Sequence, residues 1–153
     1  AYRRPVERIE IVITGSAKLG FSMTRKAIEG QPSLVRYRSF RPESDIDVAV
    51  ISPDIFDLLW SELSAHSHSA PRFPWQSRKL GDYLICGWLR PDHFPTNAGL
   101  RYCDLWWETF RGLSRDPRYR RHRVRGGLFY SMDELKRYSR RAVIDCALAE
   151  ETE

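Results

Sequence analysis

Ser44-Asp45-Ile46-Asp47-Val48-Ala49-Val50 alternates carboxylates with apolar residues and then turns wholly apolar. Successive side chains on a strand point to opposite faces, so Asp45 and Asp47 share one face while Ile46, Val48 and Val50 share the other. The apolar set must enter a core, which makes this a central strand rather than a solvated edge. Two carboxylates side by side on a rigid strand repel each other, and a hard divalent cation such as Mg2+ between them relieves that repulsion. Upstream, Ile9-Glu10-Ile11-Val12-Ile13-Thr14 is rich in β-branched residues and reads as another strand. It ends in Gly15-Ser16, a tight backbone turn with a hydroxyl, suited to holding phosphate oxygens. Together these features point to metal-assisted phosphoryl or nucleotidyl transfer.

Gly15-Ser16 at a strand end, followed by Asp45-x-Asp47 on a later strand, resembles the polymerase-β-like nucleotidyltransferase superfamily. Its members include terminal transferases, antibiotic nucleotidyltransferases, cyclic dinucleotide synthases and small bacterial toxin–antitoxin or antiviral defence proteins. The resemblance implies an α/β (α+β) fold, a mixed β-sheet flanked by helices, in a single compact domain over residues 1–153. It also implies an NTP substrate and two Mg2+ ions, with Asp45 and Asp47 as catalytic metal ligands. One ion would activate the acceptor hydroxyl and the other would neutralise the departing pyrophosphate. Gly15 and Ser16 would bind the triphosphate, and Lys18 and Arg41 would screen its charge. The acceptor would be RNA, a protein hydroxyl or another nucleotide, and the small size fits a toxin–antitoxin or defence component.

The family carries a third carboxylate on a neighbouring strand. Here the spacer between Ser16 and Asp45 is longer than usual, and the later strand His122–Phe129 contains no acid. Asp82, Asp92 and Asp104 are the candidates that remain. A second reading therefore stands beside the first: a catalytically incomplete module of the same fold, binding nucleotide or nucleic acid as a sensor or regulatory partner. A third is an RNA-binding domain in which the carboxylate pair is incidental.

Composition narrows the field. With 42% hydrophobic and 12% aromatic residues the chain is not disordered. No apolar run is long enough to span a bilayer, and no signal-peptide pattern is visible, so a cytoplasmic location is expected. Cys86, Cys103 and Cys146 lack metal-ligand spacing and read as buried, reduced thiols. The net charge of +5 is unevenly spread: Arg115, Arg118, Arg120, Arg121, Arg123 and Arg125 crowd one segment. The stretch from Arg118 to Arg125 is expected to engage RNA or an acidic protein, with Arg121, Arg123 and Arg125 on one strand face.

The remaining elements follow from periodicity and caps. Ala17–Met23 is expected to form a short helix or loop whose free N–H groups face an anion. Gln31–Glu43 reads as a loop. Ser52-Pro53-Asp54 opens a helix running to about Ala65, with Ile55, Phe56, Leu59 and Leu63 buried. His66–Ser77 reads as a loop carrying Phe73 and Trp75, and Tyr83–Leu89 as a strand opened by Asp82. A helix over Ala98–Leu113 bears Leu105, Trp106 and Phe110, with Trp106-Trp107 read as core. Val124–Tyr130 is a strand, and Ser131 with Glu134 forms a capping box. Leu135, Tyr138, Ala142 and Cys146 form the inward stripe of the last helix.

Overall fold

The computed structural model describes residues 9–23, 37–69, 77–95, 98–119 and 122–150. In chain order these form β1 (Glu10–Thr14), α1 (Gly15–Leu19), β2 (Phe21–Ser22), β3 (Arg38–Ser39), β4 (Ile46–Ile51) and α2 (Pro53–Ser69). Then come α3 (Ser77–Ile85), β5 (Trp88–Leu89), α4 (Arg101–Arg115), β6 (Val124–Phe129) and α5 (Met132–Glu150). The main sheet has the order β1-β4-β6-β5. β4 and β6 are parallel, and β1 and β5 flank them antiparallel. The fold is thus α+β with a mixed sheet and helices on both faces.

The alternation in β4 places its two faces as its sequence requires. Ile46, Val48, Val50, Val124 and Leu128 belong to the larger core, beneath Ile55, Phe56, Leu59 and Leu63 of α2 and Cys103, Trp106 and Phe110 of α4. Ala49, Ile51 and Phe129 point the other way and pack with Trp88 and Leu135 of α5. Register puts Asp47 and Arg125 on this second face, ahead of Ala49 and Gly127. Both long helices start on caps readable in the sequence. Ile55 donates its N–H to Ser52 Oγ at 3.3 Å, and Glu134 donates its N–H to Ser131 Oγ at 3.3 Å.

β6 carries two glycines where a strand would normally carry side chains. A Cβ on Gly126 would lie 2.1 Å from Phe110 Cζ on one face. A Cβ on Gly127 would lie 2.8 Å from Trp88 Nε1 on the other. The missing side chains let an aromatic ring press onto the backbone from each side of the sheet.

α4 has no side-chain cap of its own at Leu100. Its first turn is held from α2 instead. Glu62 Oε2 accepts the N–H groups of Tyr102 at 2.9 Å and Cys103 at 3.2 Å. A carboxylate at a helix N-terminus both satisfies free donors and complements the helix dipole. Glu62→Ala is expected to cost about 1–2 kcal/mol, the loss of a cap, measured by urea denaturation. Glu62→Gln should keep part of it by accepting the same N–H groups without the charge.

Several expectations are corrected. Tyr83–Leu89 is not a strand: Leu80, Tyr83 and Leu84 recur at helical spacing, and Leu80 and Leu84 meet the core from α3. Only Trp88 and Leu89 pair with β6. α2 continues through His66 and His68 to Ser69. Part of the supposed Gln31–Glu43 loop pairs as β3 with β2. Leu105 is only half-buried, as Cys103, Trp106 and Phe110 take the inward side of α4. On α5, Leu135 is buried, Tyr138 is partly exposed but packs its ring on Trp88 and Phe129, and Ala142 and Cys146 are half-buried. Of the thiols, Cys103 is buried and Cys86 is exposed. Burial pushes the Cys103 thiol up to about 12, and the nearby Asp104 carboxylate adds to the shift. Phe73 and Trp75 lie outside the described residues. Among the described residues, no helix is long and apolar enough to cross a membrane.

Candidate functional site

The chain reverses direction at Thr14-Gly15, and the reversal lands on Asp47. Thr14 faces Asp47 in the β1–β4 register, and its hydroxyl donates to the Asp47 carbonyl at 3.3 Å. Gly15 sits at φ +61°, a left-handed conformation that suits glycine. A Cβ there would come 3.0 Å from Asp47 Oδ2. Two constraints thus select glycine at one position: the backbone angle and the carboxylate beside it. Ser16 lines the same cleft as Gly15 and Asp47. α1 spans only five residues, little more than one turn, and so offers no developed helix terminus to an anion.

On the other side of Asp47 stands a cation. Arg125 of β6 is the register partner of Asp47, and its Nε bonds to Asp45 Oδ2 at 2.9 Å. One guanidinium therefore serves both carboxylates, by contact with Asp45 and by field with Asp47. A second arginine approaches from β5. Arg90 grips Asp92 through Nε–Oδ1 at 3.0 Å, lies over the Trp88 ring, and adds its charge near Asp47.

The Asp47 carboxyl is nonetheless held above its ordinary range. Although the side chain reaches solvent at the cleft mouth, desolvation by the surrounding protein is the largest cause. Repulsion from Asp45 acts in the same direction, while Arg125 and Arg90 oppose it. A raised carboxyl contributes stability that is present in full below its unfolded-state value and is lost as pH rises through its folded-state value. Asp47→Asn is therefore expected to raise Tm at pH 7. The gain should shrink on acidification and vanish near the ordinary aspartate range. Thermal melts across that window check it, and a variant less stable than wild type at neutral pH would contradict it.

The cleft encloses about 760 Å³ and runs around the β4–β6 end of the sheet. Besides Gly15, Ser16 and Asp47, its walls include Trp88, Arg90, Trp107, Arg111, Arg123, Arg125 and Tyr138. Lys18 is exposed on α1 and Arg41 is exposed beside Ser44; neither lines the cleft. Asp82 and Asp104 sit exposed on helices, whereas Asp92 lines the cleft with Asp47 and is paired with Arg90. Of the arginine run, Arg118 is tied to Asp116 at 2.6 Å, Arg120 and Arg121 lie outside the described residues, and Arg123 and Arg125 enter the cleft. His122 accepts a structural role, its Nδ1 2.8 Å from the Ser44 carbonyl oxygen.

The carboxylate pair already has a cationic neighbour. Arg125 already occupies an Asp45 oxygen, and among the described residues no three His, Cys, Asp or Glu side chains come together as a metal set.

No relative identifies the chain. Neither family models, nor curated proteins, nor solved structures give a match. Arg90, Trp88 and Tyr138 are site residues that sequence reasoning missed, and Arg125 reads in sequence only as part of a basic face. Strand pairing brings the arginines and Trp88 to Asp47 and helix packing brings Tyr138, and neither leaves a mark at a single position.

Proposed function

We propose that the chain is a nucleotidyltransferase-like module that binds the phosphates of a nucleotide or nucleic acid and serves as a sensor or regulatory partner. One observation carries this reading: Arg125 stands on the strand next to the carboxylate pair, in register with Asp47, and bonds to Asp45. The family resemblance calls for an acid on a neighbouring strand. An arginine there is a tethered monovalent cation, on the strand where that resemblance would call for the third carboxylate. It offsets part of the pair's negative charge without help from solution. It also leaves guanidinium donors for phosphate oxygens, an acceptor it suits well. Gly15 lets the backbone come close, and Ser16 adds a hydroxyl to the same cleft.

The test is calorimetric titration with ATP and with inorganic tripolyphosphate, in EDTA and in Mg2+, followed by mass analysis of products and protein. Binding is expected in EDTA, with little gain from Mg2+ and no pyrophosphate released. Mg2+-dependent transfer of nucleotide onto RNA or protein would overturn the module reading in favour of an enzyme.

A further inference from the structure

Among the described residues, the outer edge of β6 has partners at both ends and none in the middle. Ile46 donates its N–H to the Arg123 carbonyl at 2.9 Å, which fixes the alternation along the strand. Arg123, Arg125 and Gly127 turn their backbone groups toward β4, and Val124, Gly126 and Leu128 turn theirs outward. At one end, the Ser114 hydroxyl accepts the Val124 N–H at 2.9 Å, while its Oγ, with a single hydrogen to donate, lies 2.8 Å from the Phe110 carbonyl oxygen and 3.3 Å from that of Val124. At the other end, Leu128 faces Leu89 of β5, and Tyr130 donates its N–H to the Gly87 carbonyl at 2.9 Å. The next rung of that ladder would pair Gly126 with Pro91. Proline has no N–H, and the Pro91 carbonyl accepts from Phe94 at 3.1 Å instead. The ladder stops: among the described residues no partner pairs with the outward N–H and C=O of Gly126, and Gly126 lines the cleft.

We infer that Gly126 reads the hydrogen-bonding edge of a nucleobase whose phosphates extend toward Gly15 and Ser16; this rests on the nucleotide reading above. An outward N–H and C=O on one residue form an adjacent donor and acceptor in one plane. That pattern complements the Watson–Crick edge of a purine or pyrimidine, where a donor and an acceptor also lie side by side. A single open rung suits a planar heterocycle better than a peptide strand, which would need several. The surroundings suit a flat ring lying in the plane of the sheet. Trp107 and Arg111 of α4 line the cleft on one side of β6, and Trp88 and Arg90 line it on the other. The route from this edge across β4 to Gly15 is two strand spacings, about 10 Å, comparable to the reach of a nucleoside triphosphate. Arg125 lies along it.

The test uses the whole wild-type chain, because a side chain at Gly126 would strike Phe110. ATP, GTP, CTP and UTP are titrated in turn, with tripolyphosphate, the free nucleosides and base-edge-methylated triphosphates as comparisons, while amide exchange at Gly126 is followed by NMR. The best triphosphate is expected to bind about tenfold more tightly than tripolyphosphate, the worth of two net hydrogen bonds. It should also slow exchange at Gly126, and methylation of its base edge should abolish both effects. Equal affinity for tripolyphosphate and every nucleotide, or unchanged exchange at Gly126, would overturn the base subsite and leave the phosphate reading standing. A free nucleoside that protects Gly126 while tripolyphosphate fails to bind would do the reverse. If no probe binds, both readings fall.

Discussion

Gly126→Ala is expected to destabilise the protein by about 3 kcal/mol, the upper range for overpacking a filled site, and to lower Tm by about 10 °C for a domain of this size. The new methyl would occupy space held by Phe110, 2.1 Å from its Cζ. Phe110 cannot easily withdraw, because it packs against Trp106 with ring centroids 4.8 Å apart and is buried between α4 and the sheet. Neither can β6, which is fixed by β4 on its other edge. The companion change Phe110→Leu should cost less by itself and should partly restore the Gly126→Ala variant, so the pair would be far from additive. Denaturant melts of the two single variants and the double variant decide the matter. A Gly126→Ala protein within about 0.5 kcal/mol of wild type, the range of neutral surface changes, would mean that the ring does not press on β6.

The second large effect concerns Arg125. Arg125→Asp removes the tethered cation and places a third carboxylate beside Asp45 and Asp47. Without metal the variant should melt below wild type, since three carboxylates now crowd one strand end. Mn2+ or Mg2+ should then stabilise it, by about 2.7 kcal/mol at a hundredfold excess over the dissociation constant. That corresponds to about 5–10 °C in Tm. Wild type should show no comparable shift. Arg125→Ala separates the two contributions: it loses the contact with Asp45 without supplying a ligand, and its partly exposed ion pair is worth at most about 1 kcal/mol. Equal metal-induced shifts in wild type and Arg125→Asp would sink the view that Arg125 stands in the position of a ligand.

How far the sequence carries can be seen residue by residue. The period-two pattern of Asp45–Val50 and the caps at Ser52 and Ser131 are local signals, and β4, α2 and α5 form where those signals place them. The inward side of α2 is likewise visible in its spacing, and Ile55, Phe56, Leu59 and Leu63 are its buried residues. α3 was hidden because Tyr83-Leu84-Ile85-Cys86 is apolar enough to imitate a strand, and a short apolar run does not distinguish the two states. β5 has two residues and exists only because β6 pairs with it. At the site, Gly15 and Asp47 were readable, whereas the neighbour of Asp47 depends on which strand lies beside β4 and in what register. The arginine run drew attention to Arg125 as part of a surface. Pairing with β4 turned it into the partner of a carboxylate.

The Glu62 contact with α4 also orders events in time. α2 carries its own cap at Ser52 and can start from local sequence alone. α4 lacks one, and its first turn is completed by a residue 40 positions upstream. The α4 terminus therefore becomes favourable only after α2 exists and has met it, a requirement that adds loop closure to helix nucleation. Folding should proceed with α2 as the earlier element and α4 as the follower. Glu62 then acts less as a local brace than as the link by which one helix licenses the next.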